Sequence, residues 1–227
     1  MTAGRAIAID ELPDSLPVFP LTGALLLPGG RLPLNIFEPR YLNMVEDALG
    51  RPGRLIGMVQ PLVDEAGMVP EGAAIYDTGC AGRITQFSET GDGRYLITLS
   101  GIARFRVVDE LEMQRGYRRV QADFSDFAGD LEEDAGTLDD RDALLGLLRA
   151  FFQVKGIEAE WPAIEEADDG FLVTSLAMVC PFEAPEKQAL LECTGTAARG
   201  ALLAALMEMS LHGATGDDDD APAAARH

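Results

Sequence analysis

The sequence is poor in the side chains that carry most acid–base and nucleophilic chemistry, with two histidines, two lysines and three cysteines in 227 residues. His212 stands near the end of the last expected helix and His227 is the terminal residue. The strand-rich part therefore holds no imidazole for a Ser-His-Asp or Cys-His arrangement, or for a zinc site of His and Cys ligands. No Gly-x-Ser-x-Gly is present, and neither Lys155 nor Lys187 follows a glycine, so the phosphate-cradling Gly-x-x-x-x-Gly-Lys loop is missing. Cys80, Cys180 and Cys193 are odd in number and lack Cys-x-x-Cys spacing, which predicts buried, reduced thiols rather than a disulfide framework. No uncharged apolar run approaches the roughly 18 residues of a membrane span. Asp10 and Glu11 interrupt the N-terminus before a signal-peptide core can form. These absences predict a non-catalytic, cytoplasmic chain without catalytic residues, metal, cofactor or membrane anchor.

What is abundant is acid. Eighteen Lys and Arg face 38 Asp and Glu, a net charge of −20. Residues 31–119 hold 11 Arg and 12 acidic residues, net −1, whereas residues 120–227 hold 6 basic and 23 acidic residues, net −17. A polyanionic second half repels nucleic-acid phosphates and anionic lipids, whose binding rests on Lys and Arg displacing counterions. Its service is solubility. The apolar fraction of 47% is that of a globular protein, and a chain of this length buries enough surface for a core without staples.

The elements follow from periodicity. Residues 1–14 are expected to be a flexible lead-in. In LPVFPLTGALLLPGGRLPLNIF (16–37) short apolar runs are broken by Pro17, Pro20, Pro28, Gly29, Gly30 and Pro33. Proline lacks a ladder donor, so short strands on edges and bends of a curved sheet are expected. Pro39 suits a first helical position, and Tyr41, Met44, Val45 and Ala48 follow at helical spacing until Gly50. Strands are predicted over 54–62 and 75–87, with Gly79 and Gly82 marking a bulge or a close backbone approach. A hairpin turn at 89–93 leads into a long or bent strand to 111, and 117–124 is the last strand. Beyond residue 136 the period becomes helical. Thr137 and Asp140 resemble a capping box, and Leu144, Leu147, Leu148, Phe151 and Phe152 form one face up to Gly156. Helices are predicted over 170–180, 185–193 and 196–212, and GATGDDDDAPAAARH (213–227) is expected to be a disordered acidic tail.

Paired carboxylates at Asp139-Asp140, Glu132-Glu133-Asp134 and Glu165-Glu166 lie in polar runs and read as solvated surface. A Ser-Lys dyad between Ser175 and Lys187 is disfavoured, because Lys187 falls in the first turn of a predicted helix, PEKQALLE, where an exposed ammonium beside a neighbouring acid is expected.

LPVFPL (16–21), LLLPGGRLPLNIFEPRY (25–41), GCAGRI (79–84), GRYLITLSGIARFRV (93–107) and EKQALLE (186–192) occur in this order. This succession resembles the N-terminal substrate-binding domain of the Lon protease family over about residues 15–212. The resemblance implies an α+β fold, a PUA-like β pseudo-barrel with one short helix followed by a C-terminal α-helical bundle. The expected organisation is barrel over 15–125, helical subdomain over 126–212 and tail over 213–227. The ATPase and Ser-Lys protease modules of Lon are not in the sequence, so the chain is expected to be a free-standing, non-enzymatic recognition module.

By the same resemblance its partners are unfolded or extended polypeptides and a proteolytic or chaperone machine, with the chain a monomer or weak dimer. The candidate peptide-binding residues are Phe37 and Tyr41 as an apolar groove, Glu38 and Arg40 orienting the peptide, and Arg83, Arg104 and Arg106. These arginines alternate with apolar strand neighbours and would meet an acidic or C-terminal carboxylate. Phe37 and Tyr41 could equally pack the helix onto the barrel, and the arginines could be plain solvated charges. Two other classes stay open: an RNA-binding PUA-like module, against which the net charge argues, and an enzyme with an unrecognised site.

Overall fold

The computed structural model describes residues 8–63, 68, 70, 72–132 and 136–216, with side chains through 212. The chain runs β1 (Ser15–Pro20), β2 (Arg31–Ile36), α1 (Pro39–Leu49), β3 (Leu55–Val59), β4 (Thr78–Glu89), β5 (Tyr95–Gln114) and β6 (Tyr117–Asp123). There follow α2 (Arg141–Lys155), α3 (Trp161–Glu166), α4 (Asp169–Val179), α5 (Ala184–Glu192) and α6 (Gly195–Gly216). Two compact units result. One comprises 1–134 with 177–192, the other 135–176 with 193–227. The first unit runs past residue 125 because the 3-10 segment Ser125–Leu131 packs on β5, and it also takes in 177–192.

In the first unit six strands form one sheet in the order β2-β5-β4-β3-β1-β6, and β6 pairs again with β5. The pairing β5–β6 closes a ring of five strands, and a closed ring has no free edge. Four of its contacts are antiparallel and β1–β3 is parallel. The 20-residue β5 makes this possible: its second half, Arg106 to Gln114, faces β6, while its first half, Tyr95 to Ser100, carries β2. Two register shifts against β4, at Ala81/Gly82 and Ile84/Gln86, bend the strand between its two roles.

Leu16, Val18, Leu55, Val59, Ala81, Ala103, Phe105, Val120 and Phe124 fill the ring. Phe105 takes the largest share of the space, and glycine permits it. A Cβ on Gly79 would come within 2.6 Å of the Phe105 ring and one on Gly57 within 2.7 Å. Gly79 thus marks a close approach and Gly82 a bulge. Leu12 is buried in the same core, so the lead-in is not wholly free; Ile9–Glu11 form a 3-10 turn, and residues 1–7 lie outside the described residues.

The run Leu25-Leu26-Leu27 is buried but lies in a loop rather than a strand. The main chain on either side of it, at Gly23-Ala24 and Gly29-Gly30, is held by side chains and by one strand. The buried Gln60 amide accepts from Gly23 N–H at 2.9 Å and donates to Ala24 O at 2.6 Å. The Lys187 ammonium donates to Gly23 O at 2.7 Å. Gly101 of β5 accepts from Gly29 N–H and donates to Gly30 O. The exposed Lys187 expected from the sequence is thereby corrected: it is 7% exposed and donates to main-chain carbonyls, the second being Met178 O at 3.2 Å.

In the second unit α2 packs against α6. α2 buries Leu144, Leu148, Phe151 and Phe152, while α6 buries Leu203, Leu206 and Met207. The N-cap of α2 is Asp140, whose carboxylate accepts from Ala143 N–H at 2.9 Å, and Thr137 lies outside the helix. Short α3, which the periodicity does not announce, starts with Trp161, which stacks under the Arg149 guanidinium at 4.1 Å. Arg141 pairs with Asp169 and donates to the carbonyls of Ile164, Glu165 and Ala167, closing the α3–α4 turn. α6 continues to Gly216, so 213–216 are helical, and the rest of the expected tail lies outside the described residues.

Candidate functional site

The residues singled out in the sequence separate into several places. Pro39 opens α1 with Glu38 as N-cap, but the Glu38 side chain makes no cap hydrogen bond and instead pairs with Arg40 at 2.8 Å. Tyr41 is 7% exposed, and its ring lies 4.2 Å from that of Phe19 in β1 with Arg40 above its other side. It packs the helix on the sheet. Burial raises its phenol pKa. Phe37, by contrast, is 61% exposed, with the Arg94 guanidinium 5.8 Å over its ring.

The three strand arginines do not form one open face. Arg104 is 6% exposed. It donates from Nε and Nη2 to the two oxygens of Asp130, at 2.9 and 2.7 Å, and from Nη1 to Leu191 O at 3.1 Å. Its guanidinium also stacks on Phe127. Arg106 pairs with Asp126 at 2.9 Å over the same ring. These acids and Phe127 come from the 3-10 segment Ser125–Leu131, which has no periodicity to announce it. Arg104 is thus buried and held by Asp130 and Leu191, while Arg106 stands in a surface ion pair. Arg83 stands apart, on the row opposite Ser100, with only a 3.2 Å hydrogen bond to Gly53 O.

An open cleft of about 560 Å³ lies beyond the closed ring, where β2, the first half of β5 and the second half of β4 form a three-stranded extension. Its lining comes from Pro33, Leu34, Asn35, Gln86, Phe87, Ser88, Leu96, Ile97 and Thr98. The register explains the face. Asn35, Leu96 and Ser88 form one row and Pro33, Thr98 and Gln86 the next, and side chains directly opposite share a side. Leu96 is 47% exposed, while the alternate residues Ile97 and Leu99 are buried on the other side. Thr98 donates to Gln86 at 2.8 Å, which pins the polar rim. Phe37 follows Asn35 by two positions and extends the same side. β2 is the outer strand, and Pro33 removes one of its backbone donors. Strand addition at this edge is therefore blunted, and the face is the accessible platform.

Residues 15–209 match the family described as the ATP-dependent protease La (LON) substrate-binding domain. The chain belongs to that family. Among curated relatives it is 34% identical to Lon protease 2 of Sorangium cellulosum over 104 residues, 44% of this chain and 12% of that protein. It is 27% identical to Lon protease of Anaeromyxobacter dehalogenans over 208 residues, 87% of this chain and 23% of that protein. The chain thus spans under a quarter of the length of these relatives, within the substrate-binding domain and not a catalytic one. Among solved structures it resembles a Lon N-terminal domain protein from Xanthomonas campestris, with TM-score 0.59, 25% identity and coverage of 84% of this chain and 97% of that one. The N-terminal domain of Mycobacterium avium complex Lon protease shares the fold, with TM-score 0.60, 18% identity and coverage of 86% and 98%. The α+β architecture expected from the sequence is the one these neighbours have. Among the described residues no helix is long and apolar enough to cross a membrane.

None of the nine residues lining the cleft is singled out by the sequence; of the residues that are, Phe37 lies just past the end of β2. The signal of the lining residues is present as alternation: in RLPLNIF and YLITLS every second position falls on one side. What the sequence does not display is the pairing that aligns the two.

Proposed function

We propose that this substrate-binding domain recognises extended polypeptide segments, and that it does so in the cleft over β2, β5 and β4. The observation that carries the reading is the exposed apolar Leu96 on a strand face whose rim is uncharged Asn35, Thr98, Gln86 and Ser88, with the exposed Phe37 just past the end of β2. An extended chain presents alternate side chains to such a platform and satisfies its backbone on the polar rim. The relatives' family description supplies the polypeptide class. The reading includes no catalysis: the domain captures and another machine acts. It also places the protein in the cytoplasm as a monomer or weak dimer, a compartment in which thiols stay reduced.

Fluorescence anisotropy with labelled unstructured peptides of about ten residues tests it. Apolar-rich peptides bind with an affinity on the order of micromolar, because ordering them offsets much of the contact energy. The double variant F37A/L96A abolishes that binding while leaving the fold intact by circular dichroism. Unchanged binding by the double variant removes the cleft as the site.

A further inference from the structure

In a chain of net charge −20, the segments 31–36, 83–88 and 95–100 contain no Asp or Glu and two arginines. They make up the cleft part of the three extension strands; β4 ends one residue further on at Glu89, opposite Tyr95 and on the other side of the sheet from Leu96. The two arginines, Arg31 and Arg83, lie in a single row, both directly opposite Ser100 and on either side of it. Opposite residues share a face, so the two guanidiniums flank the cleft side of the sheet with their Cα atoms roughly 10 Å apart. Between them Ser100 Oγ meets Thr85 Oγ1 at 3.1 Å, so the floor of the row is hydroxyl.

Arg31 and Arg83 have no acid partner among the described residues, as is also true of Arg51, Arg54 and Arg119, but only these two flank the cleft side. Arg40, Arg94, Arg104, Arg106, Arg115, Arg118, Arg141 and Arg149 each pair with a carboxylate. Among the described residues Arg31 has no ion pair, and Arg83 bonds only the Gly53 carbonyl, through Nε. With acids outnumbering bases two to one, an acid-free surface holding two unpaired guanidiniums is a local reversal of the protein's field.

We infer that the occupant of the cleft is an extended segment carrying an acidic side chain, held by Arg31 and Arg83, about four residues from an apolar side chain seated at Phe37 and Leu96. The spacing comes from the strand itself: Leu96 and Ser100 are four residues apart, roughly 13 Å along β5. An extended segment lying along β5 has the same rise per residue. The guanidinium fork matches a carboxylate, and a basic or amide side chain at that position leaves the two cations unmatched. Peptides with a carboxylate at this spacing are therefore selected from the wider class that the cleft accepts. The inference rests on the cleft being the polypeptide site and refines what it takes.

Four labelled peptides with a common Leu decide the matter by anisotropy on the full chain. The first is capped at both ends with Glu four residues from Leu; the second and third replace Glu by Gln and by Lys; the fourth carries Gln and a free C-terminal carboxylate. The Glu peptide is expected to bind about five-fold more tightly than the Gln peptide, as for a partly exposed charge pair. That margin should shrink as salt is raised. R31A and R83A each reduce the margin, and the double variant removes it, so that it binds the Glu and Gln peptides alike. Equal affinity for the Glu, Gln and Lys peptides, with F37A/L96A still abolishing all of them, overturns the acidic preference and leaves the cleft standing. A preference for the fourth peptide alone overturns the side-chain carboxylate in favour of a chain terminus. Failure of all four to bind overturns both readings.

Discussion

Arg104 and Asp130 are joined by two parallel hydrogen bonds, Nε to Oδ2 at 2.9 Å and Nη2 to Oδ1 at 2.7 Å, and Asp130 Oδ2 also accepts the Arg104 main-chain N–H. The pair ties the 3-10 segment Ser125–Leu131 to β5, and Arg104 Nη1 donates to Leu191 O of α5. R104A strands the Asp130 carboxylate in a nearly closed site and is expected to cost about 3–5 kcal/mol in urea unfolding. R106A, two residues along, removes a pair whose side chains are both more than half exposed. Its cost should stay below about 1 kcal/mol. Equal costs for the two variants would contradict the structural role of Arg104.

Gly101 cannot be enlarged. A Cβ there would overlap the Leu27 carbonyl, whose loop is bonded to Gly101 on either side. G101A is expected to lower stability by more than about 2 kcal/mol, since relief requires moving main chain rather than a side chain. At Gly91 a Cβ would meet nothing within 4 Å, and G91A should fall within about 0.5 kcal/mol of the parent. Thermal melts of the two variants side by side provide the comparison.

The buried Lys187 holds two carbonyls from separate segments, Gly23 O and Met178 O. K187M keeps the aliphatic stem but leaves both acceptors without a donor, for an expected loss of about 1–3 kcal/mol. Amide exchange should rise first in the 21–30 loop. A variant as stable as the parent would mean that the ammonium contributes no net hydrogen bonding.

Tyr117 is fully buried, and burial together with its 2.7 Å hydrogen bond to Asp47 pushes its phenol pKa up to about 12. The folded pKa is above the unfolded value near 10, so the folded state keeps its proton longer. The corresponding stability is complete below pH 10 and is lost as pH rises through about 12. Absorbance titration should show one tyrosine ionising near pH 12, and Y117F should remove that last step. Its appearance near pH 10 in the native protein would mean that the ring is not enclosed.

Much of the fold is readable in the sequence because it is local. The helix Pro39–Leu49 follows from spacing and a proline start, and β4 and β5 from the turn between them. Arg104 is misleading in sequence because its partners are Asp130 in a segment without periodicity and a carbonyl 87 residues away. Strand alternation gives the side of a sheet but not what covers it. Leu25-Leu26-Leu27 has the look of a strand since burial and apolarity are common to both; only Gln60, Lys187 and Gly101 show why the backbone can be buried without a ladder. Phe37 stands out in the sequence, whereas Leu96 and Arg31 become part of the same site only through the registers of β2 and β4 on β5.

Ser15 of β1 pairs with Gln121 of β6. During synthesis the ring therefore stays an open sheet, with its inner face wet, until β6 has left the ribosome. The Leu191 carbonyl that completes Arg104 arrives some seventy residues later, after 135–176 has emerged. An assembly order in which the first unit finishes after most of the second has been made exposes the apolar strands to the cell for longer than a sequential layout would. A chain of this design carries its greatest aggregation risk before release, and the acid-rich segments following β6 are the part of the nascent chain best placed to keep it in solution.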